Sequence, residues 1–516
     1  MRNRLFTSIE ATRPKTNLFD LSYETKFSTN MAKLVPFYVQ DVIPSDRFKV
    51  SSEILMRLAP MTSAVMHRVN VYTHYFFVPN RLVWDEWEDF ITGGPDGTLE
   101  PPMPQITMAI DKLAWYQSGS VSDFMGVPSP DLSSAYAEKV CALPFRAYNL
   151  IYNEYYRDQN LTEPIAITKS TTVSTEETTL LSQMRYRAWE KDYFTSALPF
   201  SQRGGEVGIP VDFQYKTRSN VVDSFTGNAP AVDGDMIAVV EDGIGYTNTS
   251  NTQVRVENLE EEGVSVTINE FRKAHRLQMW LEKNARGGAR YVEQIFAHFG
   301  KKSSDARLQR PEYLGGAKQN VIISEVLNST SNADESGQTT LQPVGQVNGH
   351  GISVGKSNGF TKEFEEHGYV IGIMSVMPRS AYQQGFEKHL LKTDKFDFAW
   401  PEFANLGEQP ILYKELYMNW DDSEFNNQTF GYTPRYAEYK FRNSQVHGDF
   451  KNNLSNWTMA RIFTAQPHLN TDFVEGKDVT HRIFAVTDES YDKLYCHVYH
   501  KVYARRPLPV FGTPSL

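Results

Sequence analysis

Three groupings of side chains carry residue types that chemistry uses. The stretch GHGISVGKSNG (349–359) has the glycines, lysine and serine of a phosphate-cradling loop. That loop needs glycine five places before Gly355, where His350 stands, and Gly349 and Gly351 are each one place out. It also needs a helix to follow, so that free amides face the phosphate, but Asn358-Gly359-Phe360 follows instead. The stretch reads as a glycine-rich surface loop. Cys496, His497 and His500 suggest a metal, yet on a strand Cys496 and His500 share a face while His497 points away. No second cluster completes a tetrahedral set, and no HExxH occurs. Asp85, Glu86, Glu88 and Asp89 have the residue types of the paired carboxylates of glycoside hydrolysis. Consecutive acids on an amphipathic helix form its wet side, which is the reading adopted here. The sequence therefore assigns no catalytic residue, no metal ligand and no cofactor.

The elements around these groupings are those of a folded chain of 516 residues, 40% hydrophobic and 22% charged, with 31 Phe, 27 Tyr and 8 Trp. That much core material excludes disorder along the whole length. Two cysteines, Cys141 and Cys496, exclude a disulfide-stapled scaffold and read as buried thiols in a reducing compartment. No run is long and apolar enough to span a bilayer, so no membrane insertion is expected. The opening MRNRLFTSIEATRPK lacks a charged-then-apolar leader, and the sequons at Asn160 and Asn248 carry no weight without one.

Period-two alternation predicts strands at 66–79, 367–378 and 494–507, with shorter ones at 33–42, 47–59, 434–442 and 458–465. Helical spacing appears at 80–91, 144–159, 268–284 and 289–299, with Gly287-Gly288 breaking the last two apart. The segment 327–359 is loop-like. Strands cluster near both ends of the chain, while about 80–365 holds mostly insertions, which argues against alternating βαβ units. The expected architecture is mainly β: an arm over 1–30, partly extended, then a single sandwich domain over 31–516 with large loop and helical insertions. Aromatic residues crowd irregular stretches such as FDFAWPEFANLGEQP (396–410). Rigid rings in long loops suit a partner surface, so Trp400, Phe403, Tyr413, Tyr417 and Trp420 are candidates for contact between subunits.

The formal net charge of −10 argues against nucleic acid until its distribution is read. Residues 219–263 hold nine acids, among them Asp223, Asp233, Asp235, Glu241, Asp242, Glu260, Glu261 and Glu262, against Arg255 alone. Residues 271–310 reverse the sign, with ten bases and three acids. A local basic patch binds phosphate whatever the total charge, because screening confines the field to roughly 8–10 Å. Arg272, Lys273, Arg276, Lys301, Lys302, Arg307 and Arg310 are the candidates there, with Arg2 and Arg4 on the arm.

Longer blocks carry a resemblance. MHRVNVYTHYFFVPNRLVWDEWEDFITGG (66–94) closely resembles the major capsid proteins of gokushoviruses, the small single-stranded DNA phages of the microvirus family (Microviridae, Gokushovirinae). The similarity recurs in LPFRAYNLIYNEYYRDQNL (143–161), DYFTSALPF (192–200), WLEKNARGGARYVEQIFAHFG (280–300), EHGYVIGIMSVMPRSAYQQG (366–385) and FGYTPRYAEYK (430–440), in the family's order. It implies a viral jelly roll, an eight-stranded antiparallel sandwich with large insertions. It also implies a structural protein without enzyme activity, assembled into a T=1 icosahedral capsid around circular single-stranded DNA. Further implied partners are a small basic DNA-associated viral protein and a host cell-surface receptor; the implied location is the virion, assembled in the host bacterial cytoplasm. In this family a variable insertion lies between the DYFTSALPF-type and WLEKNARGG-type blocks and in some members builds threefold protrusions. Here it corresponds to 213–265 and is short, which favours a low bump over a tall spike. The basic residues are then expected to face the genome and the acidic ones the exterior. The rival from another class is a lectin-like or carbohydrate-active β-sandwich, which would be a monomer or small oligomer.

Overall fold

The computed structural model describes residues 15–108, 117–128, 138–205, 207, 220–223, 239–240, 243–244, 254–257, 267–288, 290–327 and 347–511. The chain divides into two compact units, one of Met1–Ser201 with Gly287–Leu516 and the other of Gln202–Arg286.

The larger unit is mainly β. Eleven strands among the described residues build its two principal sheets: β1 (Asn17–Asp20), β2 (Tyr23–Thr29), β3 (Val35–Val42), β4 (Arg47–Leu58), β5 (Val69–Pro79), β6 (Glu312–Asn320), β7 (Ile322–Leu327), β8 (Val347–Lys356), β9 (Phe360–Glu363), β10 (Gly368–Pro378) and β11 (Leu494–Arg506). One sheet runs β11–β4–β8–β7; β1 and β2 share the outer edge of β11, and β9 lies with β8 along β4. The other runs β6–β5–β10–β3. Every pairing in both sheets is antiparallel.

Strict alternation explains why the sheets face each other. On β11, Leu494, Cys496, Val498, His500, Val502 and Ala504 are buried while Tyr495, Tyr499 and Lys501 are exposed. On β4, Phe48, Val50, Ile54, Met56 and Leu58 point the same way, and Val69, Val71, Tyr75 and Phe77 of β5 meet them in one core. The other face of β5 is also buried. Phe76 and Val78, with Ile371 and Ile373 of β10, pack under a helical layer that includes Trp84, Phe145, Tyr148 and Ile151. A strand buried on both faces reads as a continuous apolar run, as YFFV (75–78) does.

Two long excursions leave the sheets, 80–311 between β5 and β6 and 379–493 between β10 and β11. The first contains α1 (Trp87–Thr92), α2 (Leu143–Ile151), α3 (Thr175–Ser182), α4 (Ile268–Gly287) and α5 (Tyr291–Phe299). Beneath the helical layer, Arg146 of α2 and Glu177 of α3 form a fully enclosed two-pronged ion pair, with Nε to Oε1 at 3.0 Å and Nη2 to Oε2 at 3.4 Å. Arg146 also donates to the Val83 carbonyl at 3.2 Å, so the guanidinium ties α2, α3 and the segment after β5 together. Charges taken this far from water persist only when each is paired and hydrogen-bonded. The smaller unit holds most of α4 and two short strand pairs, Asn220–Asp223 with Val254–Glu257 and Val239–Val240 with Gly243–Ile244.

Several expectations are corrected. The insertions do not fill 80–365, because β6, β7, β8 and β9 return to the sheets from residue 312, and the second excursion was not foreseen. The expected loop 349–359 is largely β8. Its glycines serve close packing: a Cβ on Gly349 would lie 2.2 Å from the Ser63 carbonyl, and one on Gly351 would lie 2.3 Å from Leu58. Residues 434–442 are not a strand; the chain pairs at Thr429–Pro434 and then turns through Ala437–Tyr439. Residues 458–465 form no strand either; 458–461 are buried without a ladder partner, and Ile462, Thr464 and Ala465 are exposed. Part of the expected arm, β1 and β2, lies along β11.

A string of polar groups crosses the sandwich core. His500 Nδ1 and Ser52 Oγ are 2.8 Å apart, Ser52 Oγ and the Tyr75 hydroxyl 2.6 Å, and the Tyr75 hydroxyl and Ser357 Oγ 3.1 Å. Burial pushes the His500 imidazole down to about 4 from an ordinary 6.5. Partial burial, with Arg187 nearby, likewise pushes His74 down to about 4. An imidazole held neutral in the fold binds fewer protons than the unfolded chain between those values. Its stabilisation is complete above pH 6.5 and is lost as pH falls toward 4, at most about 3 kcal/mol per group. Thermal unfolding followed between pH 7 and 4.5 should show a steep loss of stability in the native chain and a shallower one in His500→Gln. Equal slopes for the two would show that His500 is not the responsible group.

Candidate functional site

The basic candidates separate into distinct situations. Arg310 is enclosed by its own chain, its Nε 3.4 Å from Asp305 and its guanidinium carbon 4.4 Å from the centre of the Tyr155 ring. Glu154 lies 4.0 Å from its Nη1. Its charge is thus spent inside the larger unit, against the expectation that it faces a genome. Lys301, Lys302 and Arg307, in the segment after α5, are exposed. Arg272, Lys273 and Arg276 are exposed on α4, in the smaller unit. Arg2 and Arg4 lie outside the described residues. Arg290, which the sequence counted among the bases, is a structural residue: it donates to the Asn153 carbonyl at 2.8 Å and the Arg157 carbonyl at 3.2 Å, at the N-terminus of α5.

The aromatic candidates divide in the same way. Tyr413 is 8% exposed and sits 4.2 Å, centre to centre, from Phe425 in a satellite core that also holds Phe194, Ile411, Phe430 and Phe473. Tyr417 packs against that core. Tyr413 therefore stabilises its own subunit. Trp400 and Trp420 are 46% and 80% exposed, and Phe403 is half-buried edge-on to Phe396. Trp400 is nonetheless held in place, its indole donating to the Lys395 carbonyl at 2.9 Å and its backbone amide to the Tyr436 hydroxyl at 3.2 Å. An exposed ring that is already fixed loses little entropy when a partner covers it. Sequence spacing did not show that α5 turns apolar residues outward, yet Tyr291, Phe296 and Phe299 are exposed on it.

Of the acidic candidates, Asp223 ends a strand of the smaller unit, and Asp233, Asp235, Glu241, Asp242, Glu260, Glu261 and Glu262 lie outside the described residues. Asp192, which opens the DYFTSALPF block, has a structural role that spacing alone did not reveal. One carboxylate oxygen accepts from the amides of Phe194 at 2.9 Å and Thr195 at 2.8 Å, and the other from the Tyr382 hydroxyl at 2.8 Å and from Ser380. It ties the first excursion to the start of the second.

The groupings with catalytic residue types have ordinary surroundings. Asp85, Glu86, Glu88 and Asp89 are all exposed. Cys496 and His500 face the core while His497 meets Glu24 at 3.1 Å outside. Gly351-Ile352-Ser353-Val354-Gly355 has the spacing of a nucleophile elbow, which requires a strand-to-helix turn. Ser353 instead lies buried in mid-strand and donates to the Asn320 carbonyl at 2.9 Å. Among the described residues no group of three or more His, Cys, Asp or Glu is placed to hold a metal ion, and no helix is long and apolar enough to cross a membrane.

Comparison with known proteins bears on the whole chain. The family described as capsid protein (F protein) matches residues 7–516. Capsid protein VP1 of Chlamydia phage 1 is 33% identical over 599 aligned residues, covering 100% of this chain and 98% of that protein. The alignment is longer than this chain of 516, so the Chlamydia phage protein has segments that this one lacks. Capsid protein VP1 of Bdellovibrio phage phiMH2K is 34% identical over 537 residues, with 98% and 96% covered. Capsid protein VP1 of Spiroplasma virus 4 is 27% identical over 539 residues, with 96% and 94% covered. With a family match that runs nearly end to end over a mainly β chain, this protein belongs to the phage capsid protein (F protein) family.

Proposed function

We propose that the protein is the major capsid protein of a microvirus, a structural subunit without catalysis that assembles in the host bacterial cytoplasm into a T=1 icosahedral shell around circular single-stranded DNA. The observation that carries this reading is the coverage of the family match, from residue 7 to residue 516. The fold proposed for the shell is an eight-stranded jelly roll. Its support is the strand order: β2–β11–β4–β8 in one sheet and β6–β5–β10–β3 in the other, with each step from β2 through β5 passing from one sheet to the other. Purified protein or virions viewed by electron microscopy should be closed particles of icosahedral order, sedimenting at virion size. A monomer or small oligomer with affinity for sugars would favour the lectin-like alternative instead.

Genome contact is proposed for Lys301, Lys302 and Arg307 together with Arg272, Lys273, Arg276, Arg2 and Arg4, with a small basic viral protein neutralising further phosphate. Contacts of this kind follow the backbone and need not read sequence. Reversing the charge of Lys301, Lys302 and Arg307 removes about six phosphates' worth of neutralisation per copy. The DNA-to-protein ratio of purified particles should fall accordingly, and an unchanged ratio would place these residues away from the genome. Arg310 is left out of that test because its reversal would strike the contacts with Asp305, Glu154 and Tyr155.

The acidic insertion 213–265 is proposed as the exterior, threefold feature that meets a host receptor. Particles lacking 219–263 should adsorb to host cells more slowly than native ones, as counted by unadsorbed virions. Native adsorption would make the insertion a tolerated surface loop.

A further inference from the structure

We infer that the solvent face of the sheet β2–β11–β4 is a platform for single-stranded DNA, a surface whose role in a particle rests on the shell reading above. The other face of that sheet is spent on the core, and strand alternation fixes what is left. On β11 the outward positions are Tyr495, His497, Tyr499, Lys501, Tyr503 and Arg505, so rings and bases take turns along one strand. Tyr495 is 49% exposed and Tyr499 37%; Lys501 and Arg505 are exposed, and His497 and Tyr503 are half-buried. The row from Tyr495 to Arg505 is ten steps long, about 33 Å.

The neighbouring strand adds charge of the same sign. In the antiparallel register Arg57 stands opposite Tyr495, Lys49 opposite Tyr503 and Arg47 opposite Arg505, all three exposed on β4. Like charges directly across a ladder destabilise a sheet. Beyond that arginine pair stand Leu18 of β1 and Glu363 of β9, so two guanidinium groups have one acid between them in register. The other acids of this face are already engaged. Glu53 meets Lys356 at 3.2 Å, Glu24 meets Lys26 at 3.3 Å and His497 at 3.1 Å, and Asp20 accepts from the Ser22 amide at 3.0 Å. Among the described residues Arg47, Lys49, Arg57, Lys501 and Arg505 have no carboxylate in ion-pair contact.

An occupant of this face must bring negative charge along a line and flat faces for the rings. A single strand brings both, its phosphates meeting the bases and its unpaired nucleobases stacking on tyrosine. An acidic polypeptide matches the charge alone, and a duplex keeps its base faces stacked on one another. Contacts of this kind tolerate any sequence, because every base has a ring face. The surface is separate from Lys301, Lys302 and Arg307, which follow α5 and carry charge without this alternation of rings.

The test measures binding of the purified full-length chain to fluorescent oligothymidine and to an abasic oligomer of equal length, which keeps the phosphates and lacks the bases. The native chain is expected to bind oligothymidine more tightly. Tyr495→Thr with Tyr499→Thr should weaken oligothymidine at least about fivefold and leave the abasic oligomer unchanged, while Phe at both positions restores binding. Lys49→Gln with Lys501→Gln should weaken both oligomers and lower the slope of log affinity against log salt by about 1.4. Should the tyrosine variant fail to fold, the abasic comparison on the native chain and the lysine pair decide. Equal native affinity for the two oligomers, or indifference to both pairs of substitutions, would overturn the inference and leave the shell reading standing. Polyglutamate that competes as well as oligothymidine would make the face a docking surface for an acidic polypeptide and overturn it too. A native chain that binds through this face yet forms no particles would remove the shell reading and keep the inference.

Discussion

The larger unit depends on one strand pair. Arg47–Leu58 lies antiparallel to Leu494–Arg506, with Leu58 opposite Leu494 and Arg47 opposite Arg505. These segments come from opposite ends of the chain, and both excursions hang between them. Each strand is paired on both edges, and their inner side chains make up much of the shared core. The register is enforced twice. A slip of one residue would turn Cys496 and His500 out to water and bring Tyr495 and Tyr499 in. His500 also stands directly opposite Ser52, so the buried hydrogen bond between them exists only in the observed register. Because the sandwich closes on its own strands, the excursions are free to specialise.

That division explains which parts of the fold were legible in the sequence. The strands at 66–79, 367–378 and 494–507 were found because each alternates or runs apolar over ten or more residues, and burial on one or both faces imposes that pattern. The strands at 312–320 and 347–356 were missed because glycine stands where close packing forbids a Cβ, as at Gly316, Gly349 and Gly351, and that removes the signal a pattern search reads. The stretch 434–442 alternates by composition but turns at Tyr436, whose backbone φ of 59° lies in the left-handed region. The long helices at 268–299 were legible as helices. Their spacing marks apolar stripes, and Ile268, Phe271, Leu277, Phe296 and Phe299 are exposed in the isolated chain. A periodic pattern shows that a face needs cover and leaves open what covers it.

The candidate site was less legible than the fold, for an electrostatic reason. A sequence counts charges, but a charge contributes to a surface only if it is not already spent. Arg146, Arg290 and Arg310 each count as one base, yet all three are committed to carboxylates, carbonyls or rings of their own chain. Lys301, Lys302 and Arg307 count the same and remain exposed. The same holds for rings: Tyr413 and Trp420 are seven residues apart, one in a core and the other almost fully exposed. Composition picks out segments, and only packing separates the side chains that hold the subunit together from those left exposed.

The long separation between β4 and β11 also bears on synthesis. A ribosome that has made β4 must add more than four hundred further residues before β11 can occupy its edge. Until then that edge is unpaired and the inner face of β4 lacks its neighbour, a state prone to the wrong partner. Contacts so distant along the chain form late and slowly. A chain that stops short of β11 cannot close its core and cannot present a finished surface. The last strand thus acts as a completeness check that keeps truncated products out of whatever the protein builds.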